Sequence, residues 1–358
     1  MNNSRFRQQG LSLIELMIAL TISLFLLLGI FQVFFGTTAS SRLGEAVARI
    51  QEVGRFSIDY LARDFRMVGY QGCIDTDAVN VNVMANNTHI SNVDDSEIEA
   101  FNIAANGDWT PNRPAELSFA RTPVPLSDVL FIHYAATTST AVTCPGVGTS
   151  SCNSQTGAIN IAANTAGIAQ NDLVIVTNCE SAELIRVSNT PGQGATTLQY
   201  DITHNTSATL ANTYSDDSQV LQMNGYAFYV ADTGRNNSRG DDIFGLYRFD
   251  VFSGAEEELV EGVEMLRIQY GQQLDSGNMR FVDRTDGNLD MSEVVALRMS
   301  LLVASTPRVL SVSDTSIYNL AGSNVIPASA SAAGPTYPDD QRMRKSFMTT
   351  VMLRNRMD

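Results

Sequence analysis

From Leu11 to Phe35 the chain reads LSLIELMIALTISLFLLLGIFQVFF, a mostly apolar run in which Glu15 is the only ionisable side chain. At about 1.5 Å of rise per residue, a helix of this run crosses a hydrocarbon core of ~30 Å. A polar leader, residues 1–10, precedes it, carries Arg5 and Arg7 and ends at Gly10. An ordinary secretory signal has an apolar core of about 7–15 residues and a small-residue cleavage site after it. Here the small residue stands before the run and the run is too long. A plain signal anchor accounts for the length but not for Gly10 or Glu15. A carboxylate near the start of a membrane helix is disfavoured by roughly 2–3 kcal/mol, which marks Glu15 as a functional residue. The Arg-bearing leader predicts that the bulk of the chain lies in the periplasm, on the far side of the inner membrane.

The helix is not expected to stop at the membrane face. No proline occurs before Pro111. Val47, Ile50, Val53, Ile58, Leu61, Phe65 and Val68 recur at helical spacing, with charged residues on the other faces, until Gly69 and Gly72. This pattern predicts one amphipathic stripe to bury and a helix from Leu11 to about Gly69, roughly 85–90 Å long. The organisation expected is a leader over 1–10, a membrane helix over 11–35, an amphipathic continuation over 36–69 and a β-rich domain over 70–358. Within that domain 70–115 reads mainly as loop with short elements. Strands are expected at Glu116–Arg121, Asp128–Ala135, Asp172–Thr177, Glu183–Ser188, Thr196–Asp201, Gln219–Ala231, Phe244–Phe252, Glu264–Tyr270, Glu293–Ser305 and Lys345–Arg354. The Ser/Ala/Pro-rich stretch 311–344 reads as a long exposed loop. Few connections could hold a crossover helix, so the sheet is expected to be mainly antiparallel, and the fold class α+β.

The formal net charge is −15. Without Arg5 and Arg7 it is 21 − 38 = −17, which argues against broad electrostatic capture of nucleic acid. Four cysteines, Cys73, Cys144, Cys152 and Cys179, lie beyond the apolar run, in a compartment that permits disulfides. They allow three pairings. The short, turn-rich loop between Cys144 and Cys152 favours that bridge, leaving Cys73 with Cys179 to tie the end of the helix to a strand. His89, His133 and His204 are scattered, and no spacing resembles a zinc site. Asp232 to Asp242 reads as a hairpin loop, with Asp232, Asn236, Asp241 and Asp242 as weaker calcium candidates; its Arg239-Gly240-Asp241 tripeptide carries little information. Asp283 to Asp290 is a second acidic turn. No nucleophile elbow or phosphate-cradling loop occurs, so no enzyme and no cofactor are expected.

Gly10, Leu11, Ser12, Leu13, Ile14 and Glu15, followed by uncharged residues from Leu16 to Gly29, resemble the class III signal of type IV pilins and type II secretion pseudopilins. Further on, YAFYVADTGRNN, GLYRF, LVEGVEMLRIQYG, VVALRMSLLVAS and KSFMTTVMLRN resemble, in that order, the PilW-type minor pilins, which are related in fold to the secretion pseudopilin labelled J. The similarity is weak over about 75–215. The resemblance implies cleavage between Gly10 and Leu11 by a prepilin peptidase, N-methylation of Leu11, and pairing of Glu15 with the N-terminus of a neighbouring subunit. It implies a long pilin helix packed on a sheet. The partners implied are other minor pilins, the major pilin, the pilus assembly platform, a tip adhesin and, before assembly, inner-membrane lipid. It also implies a part in initiating the pilus, a place at or near its tip on the cell surface, and support of twitching motility, adhesion and DNA uptake. Many major pilins carry a proline partway along the projecting half of the helix, where Gln32 stands here. The alternatives are a type II secretion minor pseudopilin and a membrane-anchored adhesin or binding protein with a ligand site in 75–215.

Overall fold

The computed structural model describes residues 12–74, 79–86, 90, 93, 97–144, 156–330 and 334–356. A single helix, Leu13–Phe65, runs without interruption through Gln32. Its 53 residues span about 80 Å. The sequence explains the continuity: no proline removes a donor, and the hydroxyls of Thr21, Thr37 and Thr38 donate to carbonyls one turn back instead of disturbing the ladder. Only the second half is packed. Its buried residues, Ala46, Ile50, Val53, Gly54, Ser57, Leu61, Ala62 and Phe65, follow the helical stripe expected from the sequence.

Two larger sheets receive this stripe. In the first, nine strands long, neighbours run in the order Val81–Val83, Ala182–Arg186, Leu173–Thr177, Gln219–Asn236, Asp128–Ala141, Ile98–Ile103 and Trp109–Thr110. The long strand Gln219–Asn236 is its spine. Asp128–Ala141 flanks one side of it. The other side pairs first with Leu173–Thr177 and then with Asp242–Asp250, which in turn pairs with Glu256–Glu261. The second sheet has the order Met279–Val282, Val263–Gln273, Val294–Arg308, Arg342–Met352. The helix lies on its last two strands. One core joins all three bodies: Leu61 and Phe65 of the helix, Ile132 and Phe228 of the first sheet, Leu266 and Leu301 of the second. The Phe65 and Phe228 rings meet edge to face at 5.6 Å. Pairing is mainly antiparallel, as expected, with parallel exceptions at Val81–Val83 on Ala182–Arg186 and at Ile326 on Thr336.

Several expectations need correction. Glu116–Arg121 is not a strand. Its alternating Leu117 and Phe119 enter an aromatic core with Tyr229 and Phe249, so burial replaces backbone pairing. By contrast, 70–115 holds short elements among loop, as expected, the longest being Ile98–Ile103, which pairs along Asp128–Ala141. Glu256–Glu261, too acidic to read as a strand, is stabilised by Arg235 and Arg248 on neighbouring strands. The stretch 311–344 is not a long exposed loop. It contains Tyr318–Leu320, Ser323–Pro327 and Thr336–Tyr337, whose Leu320, Val325 and Tyr337 pack on Met265 and Leu302.

A buried charge network fastens that last segment. The Arg344 guanidinium donates to Glu264 at 2.6 Å and 3.1 Å and to Asp340 at 2.9 Å and 3.0 Å, beneath the Tyr337 ring. Arg342 contacts both Glu264 and Asp340, and reaches the Asp242 carbonyl of the first sheet at 3.1 Å. Burial works to raise the Asp340 carboxyl, but the hydrogen bonds and charge of Arg344 and Arg342 outweigh it and hold it below its ordinary value of 3.8. A lowered folded value stabilises the fold above the unfolded value, and that stabilisation is lost as pH falls through the folded one. The melting temperature should therefore fall on acidification below about pH 4. Asp340→Asn should melt lower than wild type at pH 7 and show a shallower acid limb. An unchanged melting profile across pH would remove the network from the list of stabilising contacts.

Candidate functional site

The chain divides its helix between two environments. From Leu13 to Glu45 no helical residue is buried, and Thr38 alone is intermediate. This is about 50 Å of helix clear of the domain. Its large apolar residues stand open all round, from Leu13 (77% exposed) and Ile14 to Phe34 and Phe35. The helix is long and apolar enough to cross a membrane, and none of the qualifying window is buried. An apolar surface of this extent requires either lipid or other apolar helices.

Glu15 sits in the first helical turn. Its carboxylate there favours the positive end of the helix dipole. It is exposed and forms no ion pair among the described residues. Gly10 and Leu11, the predicted processing pair, lie outside the described residues, as does Cys152 of the predicted Cys144–Cys152 bridge. The backbone N–H of Cys144 donates to Asp216 at 2.7 Å.

The mount of the helix is built from three contacts. The first is a close approach. A Cβ at Gly54 would lie 2.3 Å from the ring of Phe347 on strand Arg342–Met352, so the absent side chain lets that ring lie on the helix backbone. The second closes the helix end. Gly69 takes φ +75°, the Asn355 side chain donates to the Val68 carbonyl at 3.0 Å, and Arg356 meets the buried Glu97 at 3.3 Å. The third is covalent. Cys73, in the turn after the helix, is bonded to Cys179, in the turn between Leu173–Thr177 and Ala182–Arg186, with Cα atoms 5.2 Å apart. A cross-link spanning 106 residues contributes about 4–5 kcal/mol in chain entropy. Gly54 was not singled out from the sequence. A glycine on the buried stripe of a helix, one place after Val53 and three before Ser57, was the available signal.

The other candidates are engaged in local turns and ion pairs. Asp232 to Asp242 forms the expected hairpin: Asn237 caps the turn, Asn236 donates to Asp242 at 2.7 Å, and Arg308 holds Asp241, keeping its carboxyl down at about 2. Asp286 in the second acidic turn lies 3.9 Å from Arg280. His133 is buried, and His204 bonds Asp201 at 2.8 Å; His89 lies outside the described residues. No group of three or more metal-ligating side chains occurs among the described residues.

Two family models match the chain. The prokaryotic N-terminal methylation motif matches residues 5–31, and type IV pilus-assembly protein W matches residues 227–355. The first covers the leader and the start of the exposed helix. The second covers most of the spine strand, the branch beside it and the sheet that holds the helix. Among curated proteins none matches this chain.

The close approach at Gly54 has a measurable consequence. Gly54→Leu forces the helix off Phe347 and should cost about 1–3 kcal/mol, lowering the melting temperature by several degrees. A Cβ at Gly44 meets nothing within 4 Å, and Gly44→Leu should leave the melting temperature unchanged or slightly raised, since leucine is the better helix former. Equal melting of the two variants would show that the close approach is not needed to seat the helix.

Proposed function

We propose that this chain, a type IV pilin of the PilW type, is a minor pilin that takes part in initiating the pilus and sits with other minor pilins at or near its tip. The observation that carries this is the bare helix half: about 50 Å of exposed helix whose first ~35 Å, Leu13 to Phe35, is apolar with one carboxylate at its start, and a folded domain gripping only the other half. That division suits a subunit stored in the inner membrane and then drawn out to pack its helix against others. In lipid the backbone bonds of the helix satisfy themselves and the apolar side chains are solvated. In a filament the same side chains bury against neighbouring helices.

The chemistry expected is processing and packing, not turnover. A prepilin peptidase cuts between Gly10 and Leu11. The new amine of a neighbour, cationic, then meets Glu15, which lies about 6 Å inside its own mature end by helical rise. An unpaired carboxylate in lipid is unfavourable, so this pair favours association and sets the axial register between subunits. The major pilin, the assembly platform and a tip adhesin are the remaining partners proposed, the domain facing the periplasm until it is carried to the surface. Twitching motility, adhesion and DNA uptake follow from the filament so primed.

Two substitutions test separate steps. Gly10→Val should leave uncut precursor in the membrane, whereas wild-type protein should begin at Leu11 by mass spectrometry; a different mature end would sink the processing assignment. Glu15→Ala should still be cut and should still fold its domain, yet should fail to promote piliation or enter sheared filaments. Normal pilus number and incorporation in that strain would remove the docking role and leave Glu15 as a residue of the processing motif.

A further inference from the structure

In a chain of formal charge −15, the place where the domain meets the bare helix is lined by arginine. Arg42 and Arg49 stand two turns apart on one helix face, with Glu45 between them. Facing them are Arg239, at the tip of the hairpin between Gln219–Asn236 and Asp242–Asp250, and Arg308, at the end of Val294–Arg308. Together they line a half-open cavity of about 540 Å³. Two of the four are engaged. Asp241 holds Arg308 with a 2.8 Å bond, and Arg49, 55% exposed, lies 3.3 Å from Glu52 and 3.9 Å from Glu261. Arg42 and Arg239 are exposed and form no ion pair among the described residues. The lining thus offers two uncommitted guanidinium groups and one carboxylate, Glu45.

Depth gives the cavity its ligand. Arg42 is seven residues past Phe35, about 10 Å by helical rise. Headgroup layers add roughly 5–7 Å beyond the hydrocarbon on each side, so a long arginine side chain there reaches the phosphate level. Guanidinium binds phosphate through two parallel N–H donors. We propose that this cavity binds the phosphate of an anionic phospholipid headgroup, with Arg42 and Arg239 as its cations. The proposal rests on the membrane-anchored reading of the helix. It gives the stored subunit a second hold on the bilayer surface, one that is released when the helix leaves the lipid.

The test uses full-length protein in detergent, with phosphatidylglycerol or phosphatidylcholine added and bound lipid read by native mass spectrometry. Wild type should retain phosphatidylglycerol in preference to phosphatidylcholine. Arg42→Gln/Arg239→Gln should retain on the order of thirtyfold less, the fold-change for two arginines at roughly 1 kcal/mol each near an anionic surface. Arg42→Lys/Arg239→Lys, which keeps both charges but loses the paired donors, should retain an amount between wild type and the glutamine variant. Millimolar inorganic phosphate should not displace it. Equal retention by the glutamine variant would overturn the proposal. Displacement of the lipid by inorganic phosphate would overturn it in favour of a free-anion site. Both substituted residues are exposed, and an unchanged circular-dichroism melt separates lost binding from lost folding. Carbonate-resistant membrane association is scored in parallel; its absence in wild type would overturn the anchor itself, and the headgroup assignment with it.

Discussion

Everything in this molecule depends on one helix keeping its backbone bonds intact across a change of surroundings. Between Leu13 and Phe65 the same ladder serves a bare apolar half and a half packed between two sheets. In lipid no water is present to replace a broken bond, so a proline or a frayed turn there would be costly. In the domain a break would misplace Ile50, Val53, Leu61 and Phe65, which together form the meeting point of both sheets. The absence of proline before Pro111 is therefore a condition for both halves at once.

The domain meets the helix by fitting a rigid rod rather than shaping it. The ring of Phe347 lies where a side chain at position 54 would be, and Asn355 satisfies a carbonyl at the rod's end. The sheets are joined to each other by polar contacts that would be unfavourable if left incomplete. Asp128, buried, accepts from Arg267 at 2.9 Å and from the Ile268 N–H at 2.7 Å; burial still pushes its carboxyl up to about 6. At the other end Arg342, held by Glu264 of the second sheet, donates to the Asp242 carbonyl of the first. Breaking such a pair by removing one partner costs about 3–5 kcal/mol, because the other charge is left buried.

What could be read from the sequence was what has a period or a position. The apolar run, the stripe from Val47 to Phe65 and the spine strand at 219–231 all repeat, and repetition reports one face of one element. Glu15 was legible because it stands alone. Elements held by something other than their own pattern were not. Glu256–Glu261 forms a strand because arginines on other strands neutralise it, and Leu117 with Phe119 alternates without pairing because an aromatic core accepts it. The segment 311–344 looked like loop because its few apolar residues are far apart in the chain and meet only over Met265 and Leu302. The arginines at the foot of the domain were hidden for the same reason: positions 42, 239 and 308 become neighbours only after the hairpin is laid beside the helix.

The Cys73–Cys179 bond also has a mechanical meaning. Tension applied along the helix axis reaches the domain first as shear between the packed half and the strands Val294–Arg308 and Arg342–Met352. If that contact slips, the load passes along the chain to residue 73, and there it crosses the sulfur bridge directly into the tight turn at 179. The segment between the two cysteines is short-circuited and carries no tension. Strand Asp128–Ala141, which lies inside that segment and flanks the spine of the larger sheet, is thereby shielded from being peeled away by its own chain.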